Sequence, residues 1–330
     1  MSKQSKIAIV GGGLSGLIAA QKLKDSFEVT IFEKARGVGG RMSTRRADPY
    51  QFDHGAQYFT ARSKTFQTFL KSHIATGLVQ EWPAKILTLE KNKKPYKRDW
   101  FEPHYVCTPG MSSLCKYLAR DISCVFSAEI TAMERNNNQW NLVDKSGIRY
   151  ENFDWVIVTA PSHQAASLLP SDFKDIESIK DVQMTGCYSV MLGFENLPKL
   201  NWDVAIPKGS LIGWMAVNSL KPARASAPSI IVQTTNEWAD HYMDEDMEAM
   251  GEIIIQEFCD LSGISLNNIA HSATHRWKYA NTLMPANQPF FLDADQKIGV
   301  CGDWCIEGRV ESAFLSADSI SNALSNCCLL

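Results

Sequence analysis

The sequence Lys6-Ile-Ala-Ile-Val10 runs directly into Gly11-Gly12-Gly13-Leu14-Ser15-Gly16, and the run Glu28-Val-Thr-Ile-Phe32-Glu33 follows soon after. The first apolar run predicts a buried parallel strand, and residues 14–24 predict a helix with a broad apolar face. The second run predicts another strand, which ends on an acid. This order of strand, glycine-rich turn, helix, strand and acid is typical of a Rossmann-type βαβ unit.

Each glycine of the G-x-G-x-x-G pattern has a physical task. Gly11 permits a tight turn, Gly13 lets the backbone approach a pyrophosphate, and Gly16 lets the helix pack against the strand. The N-terminus of the helix offers N–H groups to phosphates. Glu33 lies 22 positions after Gly11, where its carboxylate can accept hydrogen bonds from ribose hydroxyls. The segment predicts dinucleotide binding, and a glycine-rich turn that binds nothing is the alternative.

The composition excludes several classes of protein. The chain has 330 residues, of which 45% are hydrophobic, so it is not a disordered protein. Its length suits about two domains, or one large domain with an inserted lobe. With 33 basic and 36 acidic residues, the net charge of −3 gives no general attraction to nucleic acid or to an anionic membrane. We expect a cytoplasmic protein that binds neither, since no apolar run reaches the ~20 residues that span a bilayer.

The nine cysteines are scattered, odd in number and mostly in apolar contexts. We therefore expect reduced thiols in the core rather than a disulfide framework. Cys301 and Cys305 have no second pair at zinc-ligand spacing, so the sequence predicts no metal site.

A second glycine cluster bears on the choice of cofactor. It reads Lys34-Ala-Arg36-Gly37-Val-Gly39-Gly40-Arg41 and follows Glu33 directly. A nicotinamide dehydrogenase has no need of it. The cluster resembles the G-G-R signature of the FAD-dependent amine oxidase and glutathione-reductase-like superfamily, in which the loop follows the pyrophosphate and the Arg helps to neutralise it. The resemblance implies FAD, and the alternatives are an NAD-dependent dehydrogenase or a flexible basic loop.

Three further segments fit that superfamily. Residues 124–130 resemble the strand whose backbone meets the adenine, here at Ile130, and residues 154–161 resemble a strand and turn that pass close to the cofactor. Ile298-Gly-Val-Cys-Gly302-Asp303 resembles the C-terminal G-D motif, in which the Asp approaches the ribityl chain. The resemblance also implies a helix that starts near Val310 and points its N-terminus at the flavin N1/O2 edge.

Five longer motifs narrow the resemblance. They are Phe52-Asp-His-Gly-Ala-Gln-Tyr-Phe-Thr-Ala-Arg62, Pro109-Gly-Met-Ser112, Ile212-Gly-Trp214 running on to Ser219-Leu-Lys-Pro-Ala-Arg224, His275-Arg-Trp-Lys-Tyr-Ala280, and Cys301-Gly-Asp-Trp-Cys-Ile-Glu-Gly-Arg-Val-Glu311. Together they resemble the bacterial renalase-like flavoproteins over nearly the whole chain. The resemblance implies non-covalent FAD and a fold similar to para-hydroxybenzoate hydroxylase and the amine oxidases. It also implies an oxidase of isomeric dihydronicotinamide dinucleotides, 2-dihydro- and 6-dihydro-NAD(P), which passes a hydride to flavin N5 and gives NAD(P)+ and, with dioxygen, hydrogen peroxide.

The same resemblance assigns site residues. At FAD it places Gly11, Gly13, Ser15, Gly16, Glu33, Lys34, Arg41, Ala56, Gln57, Ile130, Asp303 and Val310. On the substrate side it places Tyr58, Phe59, Thr60, Ala61, Arg62, Arg98, Asp99, Trp100 and Trp304, with His275 and Trp277 as pocket candidates. Tyr58 and Trp304 are expected to flank a flat ring, with core packing as the alternative. Arg62 is expected to pair with a substrate phosphate or the carboxamide region, with a surface salt bridge as the alternative.

The motifs imply a mixed α/β protein whose Rossmann-type FAD-binding domain is discontinuous. We expect residues 1–62, 104–165 and 290–330 to form this domain, and residues 63–103 and 166–289 to form a sheet-rich substrate domain. The elements predicted in the second domain are strands at 189–194, 229–235 and 269–279, a helix at 246–261 and a loop at 198–213.

Two other functions stay open at this stage. One is a flavin-dependent amine oxidase or desaturase, although an amine oxidase more often shows an aromatic cage and a lysine near the flavin N5. Lys278 and Lys297 are more simply interpreted as surface residues. The other is a flavin-binding protein without turnover. The basic segment 90–100 predicts a solvated hairpin, or else a surface that attracts the phosphates of a dinucleotide.

Overall fold

The computed structural model describes residues 4–90, 93–197 and 199–328. Its strands, in chain order, are β1 (Lys6–Val10), β2 (Glu28–Glu33), β3 (Arg45–Ala47), β4 (Tyr50–Phe52), β5 (Val79–Glu81), β6 (Ile86–Glu90), β7 (Tyr96–Arg98), β8 (Tyr105–Cys107), β9 (Ser123–Phe126), β10 (Ile130–Asn136), β11 (Gln139–Asp144), β12 (Arg149–Phe153), β13 (Trp155–Val158), β14 (Gln183–Phe194), β15 (Val204–Lys208), β16 (Ile212–Val217), β17 (Ser229–Thr234), β18 (Ile269–Met284), β19 (Phe291–Asp293) and β20 (Ile298–Val300). Its α-helices are α1 (Leu14–Leu23), α2 (Lys64–Ala75), α3 (Ser113–Leu118), α4 (Ser162–Leu168), α5 (Ile176–Lys180), α6 (Asn236–His241), α7 (Met247–Ser262) and α8 (Val310–Cys328).

A six-stranded sheet in the order β19-β20-β13-β1-β2-β9 forms one layer of the molecule. Its neighbouring strands are parallel except for the edge pair β19 and β20. The register pairs Val10 with both Phe32 and Val158, so β1, β2 and β13 end at the same edge. Ligands bind at this carboxyl edge in open α/β sheets. The mixed α/β class with a Rossmann-type unit, predicted from the sequence, is confirmed.

Alternate residues of β1 face two different cores, as a buried strand requires. Ile7 and Ile9 pack in one cluster with apolar residues of α1 and α8. Ala8 and Val10 pack in a second cluster with Leu142 of the three-stranded sheet β10-β11-β12. Both faces of the parallel sheet are therefore covered, and its carboxyl edge stays available for a ligand.

A seven-stranded sheet in the order β18-β14-β17-β16-β15-β6-β7 forms the second large layer. Its pairs are antiparallel except β15 with β6. The helix α7 covers it with the buried side chains Met250, Ile254 and Phe258. Asp246 caps the start of α7 by accepting hydrogen bonds from two backbone N–H groups, and Gly263 ends it at a φ of 71°.

The loop predicted for residues 198–213 is wrong within the described residues, because β15 occupies 204–208 and β16 begins at Ile212. Pro198 itself lies outside the described residues. Pro207 is tolerated in β15 because β15 pairs with β16 only at Val204 and Ala205, so its later residues have one paired side. The strand signal of this segment was hidden by its proline and glycines.

The strands of the six-stranded sheet come from residues 6–33, 123–158 and 291–300, and those of the seven-stranded sheet come from 86–98 and 183–284. The limits of the two domains stay a prediction. Within the basic segment 90–100, of which residues 91 and 92 lie outside the described residues, β7 pairs antiparallel with the preceding strand β6. Among the described helices, none combines the length and the hydropathy that crossing a bilayer needs.

Candidate active site

A cavity of about 1420 Å³ begins at the carboxyl edge of the six-stranded sheet and reaches the seven-stranded sheet. Its lining includes Gly11 and Thr159, which follow β1 and β13, and Trp214 and His275 from β16 and β18. Drug-sized ligands occupy pockets of ~300–1,000 Å³. The cavity therefore has room for a long cofactor together with a second molecule.

The glycine turn after β1 is shaped to admit a ligand. Gly11 has a φ of 115°, and a Cβ on Gly16 would lie 2.0 Å from the carbonyl oxygen of Gly11. By contrast, a Cβ on Gly13 would meet no atom within 4 Å, so the missing side chain leaves open space at the cavity. Gly13 is also the N-cap of α1 and supplies no side-chain cap. The first N–H groups of α1 are thus offered to an anion, and the residues present fit a pyrophosphate.

Glu33 lies at the end of β2 and lines the same part of the cavity. It is 7% exposed, and its two carboxylate oxygens accept hydrogen bonds from the N–H groups of Gly12 and Ala35, each at 2.7 Å. A carboxylate oxygen has a second lone pair, so Glu33 can still accept from ribose hydroxyls. Lys34 and Ile130 line the cavity beside it.

Arg41 and Asp303 form a bidentate pair across the cavity wall. Nη1 of Arg41 lies 2.8 Å from Oδ2 of Asp303, and Nη2 lies 2.5 Å from Oδ1. Both residues line the cavity, at the end of the glycine cluster and after β20 respectively. The sequence placed Arg41 at the pyrophosphate and Asp303 at the ribityl chain. In the structure they hold each other, so the charge of Arg41 is already shared with a carboxylate.

The loop after β4 closes over the Arg41 segment. The N–H of Ala56 donates to the carbonyl of Arg41 at 2.8 Å, and a Cβ on Gly55 would lie 2.0 Å from that same oxygen. Only glycine fits there. Ala56 and Gln57 consequently reach the cavity wall, as do Ser15 and Val310 from the first turns of α1 and α8. The hydroxyl of Ser15 donates to the carbonyl of Ala313, which ties α1 to α8.

A buried ionic cluster, which the sequence analysis missed, lies behind Gln57. The side chain of Asp53 is 0% exposed and pairs with Lys221 at 3.4 Å and with Arg224 at 2.7 Å. Burial on its own would raise the pKa of Asp53, but the charges of Lys221 and Arg224 outweigh it and hold the pKa below its usual value. Lys221 also donates to Oε1 of Gln57 at 3.1 Å, so the cluster fixes a side chain of the cavity wall. Lys221 and Arg224 stand three positions apart in a motif that the sequence analysis quoted, but nothing in that motif indicates that they are buried beside Asp53.

The far end of the cavity is aromatic. The ring of Tyr58 lies 5.4 Å from that of Trp214 and 4.3 Å from that of His104, and all three residues line the cavity. Burial raises the pKa of Tyr58 and lowers that of His104, so both side chains are neutral at pH 7. Phe59 and Thr60 line the cavity beside Tyr58. Trp214 and His104 were not among the predicted site residues.

A second group of aromatic lining residues comes from β18. His275 and Trp277 line the cavity, and the indole N–H of Trp277 donates to the carbonyl of His54 at 2.8 Å. Burial lowers the pKa of His275, and burial together with the charge of His275 lowers that of His54 to about 4. The imidazole of His275 is therefore uncharged at neutral pH where it lines the cavity, and His54 stands behind it, with the two ring centroids 5.0 Å apart.

The mouth of the cavity carries charged side chains. Arg62 and Glu102 both line it and form a bidentate pair, with Nε to Oε2 at 2.9 Å and Nη2 to Oε1 at 2.5 Å. Arg309 lines the cavity too, and its Nε lies 3.3 Å from Oε2 of Glu307. Glu311 accepts from the backbone N–H groups of Arg62 and of the next residue, which fixes the position of Arg62.

Several predicted site residues are not brought to the cavity. Trp304 is 0% exposed, and its indole N–H donates to the carbonyl of Ala160 at 3.0 Å while its ring stacks on Phe291. The prediction that Trp304 lies beside the reacting ring is therefore wrong. The turn after β20 directs the side chain of Trp304 into the core. The other residues outside the lining are Gly16, Ala61, Arg98, Asp99 and Trp100.

Each of these five has a local explanation. Gly16 packs against Gly11, and Ala61 packs on the core while its carbonyl accepts from Gln67. Arg98 and Asp99 are exposed, and Asp99 pairs with Lys97 on the surface. Trp100 stands behind Tyr58 at 5.1 Å, edge to face, so it supports the aromatic wall without forming it.

The chain is similar to known families of flavin-containing and dinucleotide-binding proteins. A family model described as flavin containing amine oxidoreductase matches residues 86–324, and one described as NAD(P)-binding Rossmann-like domain matches residues 9–72. The chain is 25% identical to renalase of Mus musculus over an alignment of 348 positions, which covers 97% of each chain. It is 38% identical over 77 residues to a 4,4'-diapophytoene desaturase of Staphylococcus aureus, covering 20% of this chain and 15% of the desaturase.

Solved structures agree in fold. A protein from Exiguobacterium sp. 255-15 described as a protoporphyrinogen oxidase matches with a TM-score of 0.80 at 13% identity, over 98% of this chain and 99% of that one. A putrescine oxidase variant matches with a TM-score of 0.71 at 12% identity over the same shares. At these identities the likeness extends to the fold alone.

Proposed function

The chain belongs to the flavin-containing amine oxidoreductase family and is an FAD-dependent oxidoreductase, and from this premise we propose that it oxidises isomeric dihydronicotinamide dinucleotides, 2-dihydro- and 6-dihydro-NAD(P). The products would be NAD(P)+ and, with dioxygen as acceptor, hydrogen peroxide. Bound FAD supplies the chemistry, because its ring accepts a hydride and returns the electrons to dioxygen.

The residues that would hold FAD follow the cavity from the sheet edge inward. The open glycine turn at Gly13 and the uncapped start of α1 suit its pyrophosphate, and Glu33 suits its adenosine ribose. The paired Arg41 and Asp303 would border its middle part, and the first turn of α8 at Val310 would offer N–H groups to the flavin ring. These assignments rest on the open space and donor groups of the site.

One observation carries the choice of substrate, namely that the aromatic end of the cavity and two arginines stand together. Tyr58 and Trp214 offer ring faces for a flat heterocycle, while Arg62 and Arg309 line the mouth nearby. Arginine recognises phosphate through a fork of parallel hydrogen bonds. A molecule with a flat ring at one end and phosphates behind it matches both features, and a dihydronicotinamide dinucleotide is such a molecule.

The uncharged side chains at the aromatic end of the cavity suit the charge that the reaction creates. A dihydropyridine is already a strong hydride donor, so it needs orientation more than it needs a base. Loss of hydride turns a neutral ring into a pyridinium cation. The faces of Tyr58 and Trp214 attract such a cation, and the lowered pKa values of His104 and His275 keep two imidazoles from repelling it.

Anaerobic mixing of the yellow holoenzyme with 6-dihydro-NAD tests the proposal. We expect the flavin absorbance to bleach within seconds and to return when dioxygen is admitted, with ordinary NADH reacting far more slowly. Loss of colour with putrescine or another polyamine, and none with either dihydronicotinamide isomer, would overturn the proposal.

A second candidate, an amine oxidase, is favoured by one specific observation. The aromatic residues Tyr58, Trp214 and His104 with the carboxylate of Glu102 at the mouth resemble what an ammonium substrate would require. Glu102 is, however, held by Arg62, and the buried Lys221 is separated from the cavity by Gln57. A non-catalytic flavin protein is distinguished by the same experiment, since it predicts no bleaching by any donor.

A further inference from the structure

Three cations that line the cavity are each paired with a carboxylate. Arg62 pairs with Glu102, Arg309 with Glu307, and Lys278 with Asp244, all with partly or fully exposed side chains. Of these three acids, only Glu102 itself lines the cavity. It can therefore be contacted by a ligand in the cavity, whereas Glu307 and Asp244 lie outside the lining.

The pair of Arg62 and Glu102 has the geometry of an arginine bound to an anionic ligand. Two guanidinium nitrogens of Arg62 face the two oxygens of one carboxylate, the arrangement that a phosphate also accepts. The backbone of Arg62 is fixed by Glu311, and the carbonyl of Glu102 accepts from Nδ1 of His104 at 2.7 Å. His104 is in turn beside Tyr58, so the pair adjoins the aromatic end of the cavity.

We propose that Glu102 occupies, in the free enzyme, the position that a phosphate of the substrate takes on Arg62, so that Glu102 sets the selectivity between phosphorylated and uncharged dihydronicotinamides. This inference rests on the proposed function and names a specificity residue for it. Binding of the dinucleotide exchanges one anion for another on the same guanidinium. After oxidation, return of Glu102 to Arg62 displaces the phosphate and favours release of the product.

The exposure of the pair makes such an exchange easy. The side chains of Arg62 and Glu102 are 53% and 31% exposed, and exposed ion pairs are individually weak. Separating a fully buried pair such as Asp53 and Arg224 would cost much more free energy, because each charge would be left without a partner or water. Glu102 therefore weakens phosphate binding by a modest factor and does not close the site.

The test compares E102Q with D99N in the FAD-loaded protein. Asp99 is an exposed acid three positions earlier that pairs with Lys97 and does not line the cavity, so D99N makes the same change of charge outside the site. Calorimetric titration at low ionic strength would use ADP-ribose as the phosphate probe. The neutral 6-dihydronicotinamide riboside would be titrated anaerobically into protein whose flavin has first been reduced with dithionite, so that no hydride transfer accompanies binding. We expect E102Q to lower the dissociation constant of ADP-ribose about fivefold and D99N to change it less than twofold. The dissociation constant of the riboside should be the same in all three proteins.

A second comparison shows whether the effect acts through Arg62. In R62Q the carboxylate of Glu102 no longer competes with a phosphate, because the guanidinium that both would bind is absent. We therefore expect R62Q and R62Q/E102Q to bind ADP-ribose equally within about twofold. The inference is overturned if E102Q leaves ADP-ribose binding unchanged or weakens it, or if E102Q tightens it equally in the R62Q background. It is also overturned if E102Q weakens putrescine binding and spares ADP-ribose, because Glu102 would then serve an ammonium ligand.

Failure of the proposed function gives a different result. If neither dihydronicotinamide isomer bleaches the flavin, yet E102Q still tightens ADP-ribose, the substrate assignment fails and the exchange at Arg62 stands.

Discussion

The guanidinium of Arg41 and the carboxylate of Asp303 meet through two hydrogen bonds although 262 positions separate them in the chain. One residue belongs to the glycine cluster after β2, and the other follows β20 at the far end of the same sheet order. Their contact closes the cavity wall between the first and last parts of the chain that form it. The pair therefore fixes the loop that carries Arg41 relative to the segment that carries Asp303. We expect its loss to weaken binding of the cofactor.

Replacing Arg41 tests this contact. We expect R41Q to weaken FAD binding about tenfold, because Asp303 would be left as an unpaired, 8% exposed carboxylate beside the cavity. The matched control is R36Q, since Arg36 is exposed in the same loop and does not line the cavity. Release of FAD is followed by the rise of flavin fluorescence on dilution. Equal FAD retention in R41Q and R36Q would contradict the role given to the pair.

Two glycines three positions apart should respond in opposite ways to the same added methyl group. G16A is expected to lower the melting temperature of the apoprotein, because its Cβ would lie 2.0 Å from the carbonyl oxygen of Gly11. G13A should leave that temperature within a degree or two and weaken FAD binding, because its Cβ meets no protein atom within 4 Å and fills the space offered to a phosphate. Thermal unfolding without FAD and a titration with FAD separate the two. The interpretation fails if G13A binds FAD as tightly as the wild type.

The buried Lys221 predicts a particular dependence of stability on pH. Burial lowers its pKa to about 8 from an ordinary value of 10.5, although Asp53 opposes the shift. Between these values the unfolded chain binds more protons, so Lys221 adds stability as pH rises through this window, by at most ~1.4 kcal/mol per pH unit. Below about pH 8 both states are protonated and this contribution is constant.

Urea unfolding of the wild type and K221M over this range measures the effect. The difference in unfolding free energy between the two proteins should shift in favour of the wild type as pH increases. The control is K174M, which makes the same replacement at an exposed lysine outside the buried cluster. Parallel curves for the wild type and K221M would show that Lys221 titrates normally.

The aromatic residues predict a division between binding and stability. Y58L should raise the dissociation constant of a dihydronicotinamide ligand about tenfold, since stacking on one ring contributes ~1–3 kcal/mol. Y96L removes an exposed tyrosine from β7 outside the cavity and should have no such effect.

W304F should lower stability, because the indole hydrogen bond to Ala160 is lost, while ligand affinity stays within twofold. A large loss of affinity in W304F would restore Trp304 to the substrate site.

Features that depend on neighbouring residues were accessible from sequence. The turn from Gly11 to Gly16 and the acid at Glu33 follow from local steric and hydrogen-bonding demands, which a short pattern expresses directly. The helix capped by Asp246 was likewise predicted to within one residue, because its apolar spacing and its cap lie together in the chain.

Features that depend on distant contacts were not accessible. Nothing near Trp304 indicates that its ring turns toward Phe291 and away from the cavity, since this depends on the turn after β20 and on the carbonyl of Ala160. The pairing of Asp53 with Lys221 likewise joins two loops only through packing of one sheet on another. Trp214 stands in a quoted motif, but the motif does not show that its side chain lines the cavity, which depends on how the seven-stranded sheet packs beside the six-stranded one.

The interrupted order of the six-stranded sheet has a consequence for biosynthesis. Its strand β20 lies between β13 and β19, and Asp303, Arg309 and Val310 follow it at the cavity. A nascent chain on the ribosome therefore makes the glycine turn early but lacks the opposite wall until the segment after residue 298 has emerged. We expect a chain that stops before residue 298 to lack this wall of the cavity and to hold FAD poorly.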